Sequence, residues 1–150
     1  MQNPFIIRPA DPGDIPACAS LLSELFAIEQ DFTADREKQI RGLTLLLSSQ
    51  SACLFVAEDV SGIAGMVSVQ LVISTSEGGY SAWVEDLYVV PAKRRRGIAR
   101  ALLAEVKKWG REKQVKRFQL AADKNNYYAV AWYRKLGWQV LHLEVLRKYP

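Results

Sequence analysis

The sequence predicts one α/β domain in which a mixed sheet is covered by helices, and three observations carry that expectation. Short apolar runs alternate with stretches of helical spacing, in the order β-α-α-β-β-β-α-β-α-β. A chain of 150 residues, 49% hydrophobic and 24% charged, suits a single domain. At that length it buries roughly 68–70% of its unfolded surface, so a core needs neither disulfide nor metal. No long polar tract, internal repeat or linker breaks the pattern, which argues against disorder.

Each element has its own signal. Phe5-Ile6-Ile7-Arg8 reads as a short strand stopped by Pro9. Asp11 is a natural N-cap before Pro12, and Ile15, Cys18, Leu22 and Leu25 then recur at helical spacing to about Glu29. Thr33 or Asp35 caps a second helix that buries Ile40, Leu43 and Leu47. Cys53 to Ala57 and Ile63 to Ser74 pair as a hairpin across Asp59-Val60-Ser61-Gly62, and Ala82 to Val90 follows the turn at Ser76-Glu77-Gly78-Gly79. A helix begins near Gly97 with Ala99, Leu102, Leu103 and Val106 as its apolar stripe, and its basic last turns suit the helix dipole. Val115 to Ala121 is a strand, Asn126 to Leu136 a helix closed by Gly137, and Trp138 to Leu146 a final strand.

Charge is divided unevenly. Residues 1–90 hold four Lys/Arg against twelve Asp/Glu, whereas residues 91–150 hold sixteen against four. Without Lys93, Arg94, Arg95, Arg96 and Arg100 the net charge of +4 becomes −1. The excess therefore sits in one segment. No apolar run reaches the roughly 18–20 residues of a membrane span, and the opening Met1-Gln2-Asn3-Pro4-Phe5 is expected to carry no secretion signal. Cys18, Cys53 and the single His142 are too scattered for a disulfide framework, a metal site or a Ser-His-Asp or Cys-His apparatus. A reducing cytoplasm is the simplest setting for such a chain.

The segment Leu87-Tyr88-Val89-Val90-Pro91-Ala92-Lys93-Arg94-Arg95-Arg96-Gly97-Ile98-Ala99-Arg100 ends a strand, turns through a basic loop and opens a helix at a glycine. Unpaired N–H groups at that helix start, the helix dipole and the arginines together suit an anion such as a pyrophosphate. Neither GxxxxGK[ST] nor GxGxxG is present. Arg94-Arg95-Arg96-Gly97-Ile98-Ala99 matches (Q/R)-x-x-G-x-(G/A), and Asn126 to Trp138 resembles N-x-x-A-x-x-x-Y-x-x-x-G-(F/W). In this the chain resembles the GCN5-related N-acetyltransferases (GNAT) over nearly its whole length.

The resemblance implies a mostly antiparallel central sheet flanked by helices, acetyl-CoA as co-substrate with no metal, and transfer of acetyl to an amine. It assigns the backbone of Leu87, Tyr88 and Val89 to the acetyl and pantetheine groups. Arg94, Arg95, Arg96, Gly97, Ile98, Ala99 and Arg100 fall in the loop and helix start that wrap the pyrophosphate. Asn126 falls at a position contacting the cofactor arm, and Tyr133 matches the tyrosine beside the cofactor sulfur. Chemistry gives these roles a reason. A free alkyl amine has a pKa of about 10 and must lose a proton before it attacks, which a carboxylate accepts. Glu85 is the expected base. The adjacent Asp86, on the opposite face of an ideal strand, is then an acceptor-binding residue or half of an ion pair. A backbone N–H, that of Leu87, would stabilise the oxyanion, and the Tyr133 phenol would protonate the leaving thiolate. No covalent enzyme intermediate is required.

Glu-Asp at this position resembles the polyamine acetyltransferases. Ala121, where many family members carry glutamate, departs from the pattern of protein N-terminal acetyltransferases. Glu29, Asp31 and Phe32, at the end of the first helix, favour a cationic acceptor, which leaves diamines, polyamines and an amino-sugar antibiotic open, with a protein lysine or N-terminus as the alternative. The expected partners are therefore a small-molecule amine and coenzyme A, with no nucleic acid and no membrane, and the resemblance leaves a homodimer open. A non-catalytic basic module that binds nucleic acid is the reading from another class; only the basic half supports it.

Overall fold

The computed structural model describes residues 4–150, which form five strands and four helices among them. The strands are β1 (Ile6–Pro9), β2 (Ala52–Asp59), β3 (Gly62–Ser74), β4 (Gly79–Val89) and β5 (Arg117–Leu120). The helices are α1 (Ile15–Ile28), α2 (Arg36–Ser48), α3 (Ile98–Glu112) and α4 (Tyr127–Lys135). The sheet runs β1-β2-β3-β4-β5, and the first four strands pair antiparallel with their neighbours in sequence. After the α3 crossover, β5 begins beside the start of β4, where the Lys116 N–H donates to the Tyr80 carbonyl at 2.8 Å. That alignment of starts is the parallel arrangement a helical crossover produces. The sheet is thus mixed and mostly antiparallel, as expected.

The chain divides into two compact units, Met1–Gln119 and Leu120–Pro150. In the first, alternation along the strands sorts side chains to two faces. Leu54, Val56, Met66 and Tyr88 meet Cys18, Leu22 and Leu25 of α1 and Leu43 of α2 in one buried cluster. Val67, Val69, Ala82 and Val84 point the other way, where α3 packs with Ile98, Leu102, Val106 and Trp109 buried. The start of α3 comes close because residue 65 is glycine. A Cβ there would stand 3.0 Å from the Tyr88 carbonyl oxygen and 3.2 Å from Ile98. Arg8 locks the entry to α1, donating to Asp14 at 2.7 and 3.0 Å and to Glu58 of β2 at 2.9 Å.

Local signals mostly gave the observed ends. Asp35 caps α2 by accepting from the Lys38 N–H, whereas Thr33 lies outside the helix. Ile40, expected to be buried, faces solvent, and its neighbour Gln39 is the half-buried residue. In the second unit, Asn126 caps α4 through the Ala129 N–H at 3.2 Å, and Gly137 follows the helix at a φ of +94°. Trp132 and Trp138 are half-buried and flank the ring of Tyr133 at 5.1 and 5.9 Å. The strand expected over Trp138 to Leu146 does not form. A strand exists only in a ladder; among the described residues none of this segment is in one, and Val140, Leu141, Leu143, Val145 and Leu146 are exposed.

Candidate functional site

The pairing of β3 with β4 breaks at one place. Ser68 faces Glu85 and Met66 faces Tyr88, so Asp86 and Leu87 together oppose Val67. This is a β-bulge, which leaves one residue outside the ladder and bends the strand. Asp86 makes the bend at a φ of +56°, a left-handed conformation that Asp tolerates better than most residues. Ideal alternation would have put Glu85 and Asp86 on opposite faces. The bulge instead brings both to the same cavity of about 520 Å³ between α1, α2 and strands β2 to β4.

The two carboxyls differ there. Glu85 is exposed and accepts from the Trp83 indole N–H at 2.6 Å. Asp86 is largely withdrawn from water, and that burial, with the negative charge of Glu85 and Glu29 added, pushes its pKa up to about 7. The buried Ser68 hydroxyl sits between them, donating to the Glu85 carbonyl at 3.2 Å and meeting the Asp86 carboxyl. One hydroxyl proton cannot serve both oxygens. The Ser68 contact favours the charged form of Asp86 and so works against the larger effect of burial. Glu29 ends α1, its N–H on the Leu25 carbonyl at 3.2 Å, and Asp31 lies exposed in the α1–α2 loop. Phe32 of the same loop stacks on Phe26 of α1 at 5.4 Å.

Just beyond the C-terminal end of β4 the basic loop is organised rather than loose. Lys93 reaches back to Asp59 at the β2–β3 turn, Nζ to Oδ2 2.6 Å, and Arg96 Nη1 lies 3.9 Å from the same oxygen. The Asp59 side chain is only 3% exposed and also accepts from the Ser61 N–H and hydroxyl. These donors hold its carboxyl well below the usual carboxylate range, Lys93 contributing most. Arg94 donates through Nε to the Val89 carbonyl at 2.9 Å and lies over the Tyr88 ring. Burial, with Glu24 nearby, raises the pKa of the Tyr88 phenol.

Arg95 and Arg100 make no side-chain hydrogen bond or ion pair among the described residues and are exposed. Arg95 at a φ of +62° and Gly97 at +83° turn the chain into α3. The first backbone bond there is Ala101 N–H to the Gly97 carbonyl, 3.0 Å. The N–H groups of Ile98, Ala99 and Arg100 precede it and point out of the helix end. Ile98 keeps its side chain in the core, so only its backbone faces this site. Outward N–H groups, a helix dipole and two exposed guanidiniums fit a pyrophosphate.

In the second unit, burial raises the Tyr133 phenol above its ordinary pKa, so it holds its proton at neutral pH. Asn126 uses its side-chain oxygen as the cap of α4, which leaves its amide N–H groups as donors. Ser68, Phe26 and Gln39 carried no site reading in the sequence, and Asp59 entered only as part of the hairpin turn. Nothing local marks a turn aspartate that meets a lysine 34 positions on, and a serine in a strand carries no signal. No group of His, Cys, Asp and Glu suited to a metal ion occurs among the described residues, and none of their helices is long and apolar enough to cross a membrane.

Comparison with known proteins bears on the fold and the family. An aminoglycoside N(6')-acetyltransferase type 1 of Acinetobacter haemolyticus is 23% identical over 128 residues, covering 83% of this chain and 88% of that protein. An uncharacterised protein of Mycobacterium leprae (strain TN) is 27% identical over 99% of this chain, which spans only 38% of that protein's length. Among solved structures, a predicted acetyltransferase with acetyl-CoA from Clostridium acetobutylicum superposes with a TM-score of 0.79 at 20% identity, covering 96% of each chain. The family model described as "Acetyltransferase (GNAT) family" matches residues 16–138. That span takes in the bulged strand, the basic loop, the start of α3 and the Asn126–Trp138 motif, and the chain therefore belongs to the GNAT acetyltransferase family.

Proposed function

We propose that this protein is an acetyl-CoA-dependent N-acetyltransferase that passes the acetyl group directly to the primary amine of a small cationic acceptor. The observation that carries the reading is the bulge in β4. It sets a buried carboxyl, Asp86, beside a backbone stretch released from the ladder, a short strand-length from the anion-binding start of α3. Bound acetyl-CoA supplies an activated acyl group, a thioester. Arg95, Arg100 and the N–H groups at the start of α3 would hold its pyrophosphate, with Lys93 and Arg96 anchored by Asp59. The N–H of Leu87 would donate to the acetyl oxygen as charge develops on it.

Between the two carboxyls, the geometry favours Asp86 over Glu85 as the base. Glu85 is exposed and engaged by Trp83, whereas Asp86 is withdrawn from water with a pKa near the working pH, where a base is most effective. Glu85 and Glu29 would then attract the ammonium and favour its approach to Asp86. Tyr133, with its proton held by burial, would return one to the thiol.

Cofactor binding is the first test. Acetyl-CoA at 100 times its Kd adds about 2.7 kcal/mol, which raises Tm by roughly 5–10 °C in a chain of this size. An unchanged Tm at saturating acetyl-CoA overturns the reading.

A further inference from the structure

Resting on that reading, we infer that the acceptor is a primary monoamine carried on an apolar body, an alkyl- or arylalkylamine, rather than a polycation or an amino sugar. The cavity beside Asp86 has two unlike sides. Its strand floor carries Ser68, Gln70, Glu85 and Asp86; its helix wall presents Phe26, Leu45 and Leu46 over the buried Leu22 and Leu43, with Gln39 and Ser49 as its neutral polar groups. One ammonium is met by the paired carboxylates at the bulge. The rest of the molecule must then lie against leucines and the Phe26 ring, which is itself backed by Phe32.

Two competitors fit this surface poorly. Among the described residues lining the cavity, the charged group on the helix side is Lys38, a cation that would face the second ammonium of a diamine or polyamine. An amino sugar carries hydroxyls on every side; Gln39, Ser49, Ser68 and Gln70 could meet some of them, but those laid against Phe26, Leu45 and Leu46 would lose water without gaining a partner. In the transfer itself the N–C bond forms as the C–S bond of the thioester breaks. The ammonium gives up two protons, one ending on the thiol and the other passing through Asp86 to solvent.

The test compares 2-phenylethylamine, hexylamine, 1,6-diaminohexane, spermidine and kanamycin by kcat/KM at fixed acetyl-CoA, and by calorimetric titration of the same amines into the protein. The two monoamines are expected to exceed spermidine and kanamycin by about tenfold or more in both readouts. Phe26→Ala should cost the monoamines about tenfold while leaving spermidine and kanamycin nearly unchanged. Lys38→Glu, a change at an exposed position, should raise 1,6-diaminohexane relative to hexylamine. A preference for spermidine or kanamycin overturns the inference and leaves N-acetyl transfer standing. Absence of turnover and binding with all five amines also overturns it, and the acetyl-CoA thermal shift then decides the broader reading.

Discussion

Asp86 combines three costs that a structural residue would avoid: a left-handed backbone, burial of a carboxyl, and two like charges nearby. Such groups cluster where chemistry needs them. The pH consequences follow from its raised pKa. Between about pH 4, where an unfolded aspartate ionises, and pH 7, the folded state holds a proton that the unfolded state has released. Stability therefore falls as pH rises through that window. Asp14 and Asp59, both shifted downward, act in the opposite sense, and only as pH falls below the ordinary carboxylate value. Asp86→Asn should accordingly raise the urea midpoint at pH 8 relative to wild type while lowering kcat by about 10²–10⁴-fold. In the wild type kcat/KM should climb with pH up to about 7 and then level. A variant that keeps its activity, or a flat wild-type profile, would remove Asp86 as the base. The Glu-Asp pair was visible in the sequence, but its division of labour was not. Alternation predicts opposite faces, and no residue type announces a bulge, although Asp is among the few that accept one at positive φ.

At the scale of elements, the strand–loop–helix from Leu87 to Arg100 was legible because its signals are local: a proline stop, a run of arginines and a glycine helix start. What each arginine does was not legible, since it depends on distant partners. Lys93 and Arg96 are bound to Asp59, and Arg94 is spent on Val89 and Tyr88, leaving Arg95 and Arg100 to meet an anion. Arg95→Ala should therefore weaken acetyl-CoA binding more than Arg94→Ala does, and make that binding less sensitive to salt. Asp59→Asn should raise the KM for acetyl-CoA while leaving the acceptor KM unchanged, which steady-state kinetics with each substrate varied in turn would read. Equal effects on both substrates would make Asp59 a stability residue only. The segment after Gly137 shows the converse. Its composition favours a strand, but a strand depends on a neighbour, and composition cannot supply one.

Across the whole molecule, the opposed charges of the two sequence halves acquire a local meaning. The basic excess is concentrated at the start of α3, and the acidic half contributes Glu29, Glu85 and Asp86 around the cavity. An anionic co-substrate and a cationic acceptor would thus meet at the C-terminal end of β4, one from the start of α3 and the other from the cavity at the bulge. The order of elements through α4 followed from periodicity, because helix and strand spacing survive any packing. The cavity beside the bulge did not, because it is made by α1, α2 and three strands at once. The central claim is direct acetyl transfer to an amine, and amine-dependent release of free thiol from acetyl-CoA tests it most closely. The account predicts thiol release that requires the amine and matches the N-acetylated amine one for one. Thiol released equally without amine, or no release with any amine, would contradict it.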